Sequence, residues 1–308
     1  DSDRDRHQAF RISLSAGDQD LDNPEVSTFA GSGSNGSTNA TTGTSASFNY
    51  PRGITTDGTN LYVADYNNHT IRKIVISTGA VTTLAGSAGS YGSTNATTGT
   101  SARFKYPRGI TTDGTNLYVA DTDNHLIRKI VISTGVVTTL AGSTSSGSTD
   151  ATGTSARFYH PRGITSDGTN LYVSDTENHK IRKIVISTGV VTTLAGSGST
   201  GSTDATGTAA RFYSPRGIVT DGTNLYVVDT SNHMIRKIVI STGVVTTLAG
   251  SGSSGSTDAA GTSAKFYNPR GITTDGINLY VVDYSNNKIR KIVIATGVVT
   301  TLAGSGSA

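Results

Sequence analysis

At 308 residues, with 37 Gly, 13 Tyr, 7 Phe, no Trp and no Cys, the chain has the length for a large core but few aromatic residues to fill it. A formal net charge of +3, with Lys and Arg spread evenly, leaves no basic block for a nucleic-acid arm, and the absence of Cys excludes disulfides, thiolate metal sites and cysteine nucleophiles. No apolar run approaches the roughly 20 residues of a membrane-spanning helix.

Residues 1–8 are densely charged and are expected to form a tail; a start at Asp1 rather than Met fits a processed chain. Residues 9–32 carry two short pieces that return later: Ile12-Ser13-Leu14-Ser15-Ala16-Gly17 matches Ile74–Gly79, and Val26-Ser27-Thr28-Phe29-Ala30-Gly31-Ser32 matches Val81–Ser87. From Pro51 the tetrapeptide P-R-G-I recurs at Pro107, Pro161, Pro215 and Pro269, at spacings of 56, 54, 54 and 54 residues. A period of that length marks a repeat architecture.

The repeat beginning at Pro161 divides into four strands. Strand a is expected at Gly163–Asp167 and strand b at Leu171–Asp175, joined by an Asp-Gly turn. A loop through Asn178 and His179 leads to strand c, Ile181–Ser187, and Thr188-Gly189 turns the chain into strand d, Val191–Gly196. β-branched density and two-residue alternation argue for strands and against helix. Four consecutive antiparallel strands at a fixed period make a β-propeller blade, and a solenoid has shorter repeats. The whole of 9–308 therefore reads as one all-β propeller. Residues 9–32, matching only strands c and d, read as a partial blade, which makes two strands plus twenty.

Four of the five repeats contain Asn-His before strand c, and Asn124-His125-Leu126 spells the tripeptide for which NHL repeats are named. With F-x-x-P-x-G-I, D-G and L-Y-V-x-D around it, five times in register over 48–308, the pattern resembles the NHL-repeat β-propeller family. The last copy departs from it with Asn287 in place of His. The resemblance implies six blade positions, the first incomplete; a five-bladed ring is the alternative. It also implies two alternative activities, a propeller lyase or hydrolase with a site at the channel mouth, and a nucleic-acid-binding domain. Near balance of acids and bases disfavours nucleic acid.

Propeller connectivity puts the d–a and b–c loops on one face, where the copies differ most. The candidate ligand-binding residues lie there. Arg52, Arg108, Arg162, Arg216 and Arg270 of P-R-G would attract a carboxylate or phosphate, unless each pairs with the Asp ending strand b (Asp65, Asp121, Asp175, Asp229 or Asp283). Tyr50, Tyr66, Tyr106 and Tyr284 could stack on pyranose rings, and His160 is the single His standing before a repeated Pro. His69, His125, His179 and His233, one per repeat, are expected to make structural hydrogen bonds rather than to converge on a metal. No catalytic residue, metal or other cofactor is assigned; Ca²⁺ at the loop carboxylates Asp150, Asp204 and Asp258 is the alternative, with one carboxylate per loop. Sequons at Asn35, Asn39, Asn68 and Asn95 bear only on a glycosylating secretory route.

Five similar copies supply the same groups five times, whereas an active site needs different groups at one point. The sequence therefore points to a non-catalytic binding or scaffold module, extracellular or on a cell surface, with cytoplasmic placement as the alternative. Its expected partners are a protein or a glycan, and the incomplete blade is a place for self-association.

Overall fold

A computed structural model describes residues 10–11 and 27–306. Among these, 22 strands form five four-stranded antiparallel sheets and one two-stranded sheet. Blade 1 is β3 (Pro51–Thr56), β4 (Asn60–Asp65), β5 (Thr70–Val75) and β6 (Val81–Gly86). Blade 2 is β7 (Pro107–Thr112), β8 (Asn116–Asp121), β9 (Leu126–Val131) and β10 (Val137–Gly142). Blade 3 is β11 (Pro161–Ser166), β12 (Asn170–Asp175), β13 (Lys180–Val185) and β14 (Val191–Ala195). Blade 4 is β15 (Pro215–Thr220), β16 (Asn224–Asp229), β17 (Met234–Val239) and β18 (Val245–Ala249). Blade 5 is β19 (Ile272–Thr274), β20 (Asn278–Asp283), β21 (Lys288–Val293) and β22 (Val299–Ala303). The count of complete blades is five, the alternative to the six positions that the resemblance implies.

The expected strand order a-b-c-d holds in every sheet, and the boundaries shift by one or two residues. Short 3-10 turns, such as Thr176–Asn178 after β12 and Gly153–Ser155 before β11, stand where loops were expected.

β1 (Phe10–Arg11) pairs antiparallel with β2 (Ser27–Thr28), Phe10 opposite Thr28 and Arg11 opposite Ser27. Strands c and d of blade 1 have the same register, with Arg72 opposite Thr83 and Lys73 opposite Thr82. Beyond β2, Gly31 N–H donates to Gly43 O at 3.0 Å and Ser32 N–H to Ala46 O at 2.8 Å; Gly196 and Ser197 make the same bonds to Gly207 and Ala210. Residues 1–8, the segment Ile12–Gly17 and Val26 lie outside the described residues.

Two compact units make up the chain, residues 1–124 with 128–138, and residues 125–127 with 139–308. Alternation gives each strand two faces, and within each unit neighbouring blades pack by them. In the first unit Tyr62, Ala64 and Ile71 of blade 1 cluster with Ile110, Leu117 and Val119 of blade 2. In the second, Tyr172 and Ile181 of blade 3 cluster with Phe212, Leu225 and Val227 of blade 4. Tyr226 and Val228 of blade 4 cluster in turn with Phe266, Leu279 and Val281 of blade 5. The aromatics are few because each is used once per repeat.

Candidate functional site

The site is built where strand a meets the loops on either side of it. Pro161 lies opposite Asp175, and the ladder then shifts register before Ile164 pairs with Val173, so Arg162 and Gly163 form a bulge at the mouth of the strand. A bulge re-aims its side chains out of the ladder. The residue before the repeated Pro is left-handed in all five copies: Tyr50, Tyr106, His160, Ser214 and Asn268 have φ between 47° and 55°.

Asp65, Asp121, Asp175, Asp229 and Asp283 do not serve the arginine of P-R-G in the way expected from the sequence. Each is fully buried and pairs with the arginine of strand c: Arg72, Arg128, Arg182, Arg236 or Arg290, at 2.7–2.9 Å. In blade 3, Asp175 Oδ1 accepts the Tyr159 N–H at 2.7 Å, and Oδ2 accepts both Asn178 Nδ2 at 2.8 Å and Arg182 Nη1. Arg182 also donates to the carbonyls of Arg157 and Thr149, both at 3.0 Å, and lies 5.1 Å from the Phe158 ring centroid. Burial pushes the carboxyls of Asp121, Asp175 and Asp229 up to about 6 against the pull of these partners.

The loop carboxylates considered for Ca²⁺ belong to the same network. Asp150 Oδ1 takes Arg182 Nη2 and Thr193 Oγ1, and its Oδ2 takes the Thr193 N–H; Asp204 and Asp258 repeat this with Arg236 and Arg290. Asn39 and Asn95 fill the same place with a neutral oxygen. No group of three His, Cys, Asp or Glu that could hold a metal occurs among the described residues.

With the strand-b aspartates committed elsewhere, Arg52, Arg108, Arg162 and Arg270 meet the turn after strand b. Arg108 Nη2 donates to Tyr66 Oη at 3.0 Å, and Arg162 pairs with Glu177 at 3.2 Å. Arg52 and Arg108 lie 5.3 and 4.5 Å from the Tyr66 ring centroid, and Arg270 lies 3.2 Å from that of Tyr284. Tyr66 in turn stacks at 4.8 Å on Tyr106. Arg52, Arg108, Tyr66 and Tyr106 thus form one cationic and aromatic group in the first unit. Tyr50, before Pro51, is left-handed like Tyr106 before Pro107, and half-buried.

The repeated His has a role that the sequence showed only as structural. It sits left-handed at the end of the b–c turn, and its Nδ1 accepts a backbone N–H from the following repeat. His69 takes Tyr106, His125 takes His160 and His179 takes Ser214, each at 3.2 Å, while His233 takes Asn268 at 3.1 Å. Asn287 keeps the left-handed conformation in blade 5. His160 joins this clasp from the other side: its ring lies 4.8 Å from His125 and 4.9 Å from Tyr159.

An imidazole that accepts at Nδ1 must be neutral, and burial holds His69, His179 and His233 below 6.5. The clasp is then fully present above about pH 6.5 and is lost as pH falls through the window between 6.5 and the folded value. Melting temperature should fall less between pH 7 and pH 5 in a His179→Asn, His233→Asn variant than in the wild type. The raised aspartates act in the opposite sense but are common to both proteins. Equal slopes would show that these imidazoles are not the groups responsible.

Sequence reasoning passed over the tyrosines one position earlier than the candidates. Tyr159, Tyr213 and Tyr267 are 40–43% exposed beside their His partners. The signal was present in the A-R-F-Y or A-K-F-Y run that closes three of the long loops.

A family model described as "NHL repeat" matches residues 48–74. Protein SUPPRESSOR OF QUENCHING 1, chloroplastic, of Arabidopsis thaliana is 31% identical over 275 residues, 82% of this chain and 26% of that protein. NHL repeat-containing protein 2 of Homo sapiens is 35% identical over 144 residues, 43% of this chain and 20% of that protein. The chain thus spans about a quarter or less of these two relatives. Among solved structures, a Bacteroides thetaiotaomicron protein of unknown function aligns over 91% of this chain and 64% of its own, with a TM-score of 0.66 at 21% identity. A chain of a nidogen/laminin complex aligns over 94% and 88% (TM-score 0.62, 18% identity), and a streptogramin B lyase over 82% and 67% (TM-score 0.52, 15% identity). At these identities the structural likeness speaks for the fold alone.

Proposed function

The chain is an NHL-repeat β-propeller, and from that premise we propose that it is a non-catalytic binding module working at the cell surface or outside the cell. It engages a protein or glycan through the face made by the d–a and b–c loops, where Arg52, Arg108, Arg162, Arg216, Arg270, Tyr50, Tyr66, Tyr106, Tyr284 and His160 stand. The observation that carries this reading is the commitment of every strand-b aspartate to the strand-c arginine. Of the P-R-G arginines, Arg52 and Arg108 stand beside Tyr66, Arg270 beside Tyr284 and Arg162 beside Glu177. Tyr and Arg are the residues that anchor interfaces, because each offers a large apolar surface with a polar end. The P-R-G arginine recurs in all five blades, so the face offers repeated contacts rather than a set of unlike catalytic groups. No described helix is long and apolar enough to cross a membrane.

We also read residues 9–32 as the outer half of a further blade, supported by the shared register of β1–β2 and by the bonds of Gly31 and Ser32. Both readings meet in one experiment. Surface-displayed glycans and solubilised surface proteins are passed over the immobilised chain, over an Arg52→Ala, Arg108→Ala, Tyr66→Ala variant, and over Thr115→Ala, Thr169→Ala on the opposite face. Binding should drop at least about tenfold in the first variant only. Equal loss from the opposite-face variant, or none from the first, overturns the assignment of the face. Deleting residues 1–33 should lower the melting temperature, and an unchanged value removes the half-blade.

A further inference from the structure

The exposed tyrosines of the same face are held in a way that loop drift does not explain. Tyr159, Tyr213 and Tyr267 are pinned through both ends of the backbone. Their N–H groups donate to Asp175, Asp229 and Asp283 Oδ1 at 2.7, 2.7 and 2.8 Å. Their carbonyls accept the N–H of Glu177, Ser231 and Ser285 at 3.1, 3.1 and 3.0 Å. Each ring meets its imidazole edge-on, with centroids at 5.7, 5.8 and 5.7 Å from His125, His179 and His233. The side chain is therefore fixed, although 40–43% of each residue is open to solvent.

The first unit supplies an independent observation. Blade 2 has Lys105 at this position, and Tyr91 takes over, edge-on to His69 at 5.7 Å and 66% exposed. Tyr91 comes from the long loop that makes this spacing 56 residues rather than 54. The ring is thus restored to the same imidazole from a different point in the chain. The hydrogen bond from the Tyr106 N–H to His69 Nδ1 needs no exposed ring.

Before Tyr159, Tyr213 and Tyr267 the long loops are mostly Ser, Thr and Gly, rich in hydroxyls, with one Asp and one Arg or Lys in each, and Lys105 Nζ lies 5.6 Å from the Tyr91 ring centroid. A rigid aromatic side chain with neutral hydrogen-bonding neighbours suits the face of a sugar ring, and little ordering entropy is lost on binding. Equivalent places repeated once per blade suit a ligand that itself repeats. We propose that Tyr159, Tyr213 and Tyr267 are equivalent stacking subsites for a neutral polysaccharide chain, with Tyr91 as their counterpart in the first unit. His160, against Tyr159, makes the first of the three subsites unlike the others. The proposal rests on the loop face being the binding face.

Affinity electrophoresis of the full chain through gels containing β-glucan, mannan, xylan or starch tests it. At least one polymer should retard the wild type, and longer oligosaccharides should bind more tightly than a disaccharide. Each single Tyr→Ala change should weaken binding roughly two- to tenfold, as expected for one stacked ring. The Tyr159→Ala, Tyr213→Ala, Tyr267→Ala variant should run as in a blank gel, and the matching Tyr→Phe variant should bind like the wild type. If the alanine variant melts early, the Tyr→Leu triple keeps an apolar side chain against each His and removes only the stacking plane. The proposal is overturned if no polymer retards the wild type, or if the leucine triple is retarded as strongly as the wild type. It is likewise overturned if the bound partner is a protein whose capture is unaffected by the leucine triple. In that last case Arg52→Ala, Arg108→Ala, Tyr66→Ala still weakens capture, so the reading of the face survives while the ligand class falls.

Discussion

Replacing Asp229 by alanine should destabilise the fold by about 3–5 kcal/mol, the range for breaking a buried ion pair from one side. Asp229 and Arg236 are both without solvent exposure and meet at 2.9 Å. The carboxylate also holds the Tyr213 N–H at 2.7 Å and Asn232 Nδ2 at 2.8 Å, so its removal strips three donors of their acceptor, the fully buried Arg236 Nη1 among them. Arg236 would keep Asp204, whose side chain is 44% exposed and better solvated. Asp229→Asn keeps an acceptor oxygen and should cost less than Asp229→Ala. Urea unfolding followed by circular dichroism measures both. A loss below about 1 kcal/mol for the alanine variant would mean that the guanidinium finds new partners on relaxation.

Gly163→Ala should be nearly as damaging, at about 3 kcal/mol, the upper range for overpacking. A Cβ on Gly163 would stand 2.0 Å from the Arg216 carbonyl oxygen, and one on Gly217 would stand 2.4 Å from that of Arg270. The innermost strands of successive blades approach by backbone there, and only hydrogen fits between them. Gly168, in the turn between β11 and β12, is the internal control. Its φ is +86°, with no atom within 4 Å of an added Cβ, so alanine meets only the left-handed conformation, at about 1–2 kcal/mol. Comparable midpoints for the two alanine variants would show that backbone conformation, not contact between blades, sets the need for Gly163.

The strands were legible because each property of the repeat agrees on them: Asp-Gly and Thr-Gly turns, two-residue alternation and a constant period. The pairing of charges was harder, since each repeat offers at least two arginines, and three copies a third in A-R-F (Arg103, Arg157 and Arg211), for one strand-b aspartate. Strand register decides between them. Val173 lies opposite Arg182, which puts Asp175, two residues on, on the same face as that guanidinium. The sequence therefore held a signal in its alternation, whereas Arg162 sits in a bulge that alternation does not describe. The imidazole clasp was partly hidden for another reason. Its acceptor and donor lie in different repeats, 35 residues apart for His179 and Ser214, and no local pattern joins them. Tyr91 was hidden because it does a repeated task from an unrepeated position.

The guanidinium networks also bear on how such a gene can change its length. The polar partners of Arg182 lie within residues 149–193, those of Arg236 within 203–247 and those of Arg290 within 257–301. Each span is shorter than the 54-residue period and stops before the Gly- and Ser-rich loop that follows strand d. Unequal recombination with both breakpoints in such loops adds or removes a whole unit and carries every buried charge together with its counter-charge. What is remade at the new junction is apolar packing and one imidazole bond, which near-identical neighbours reproduce.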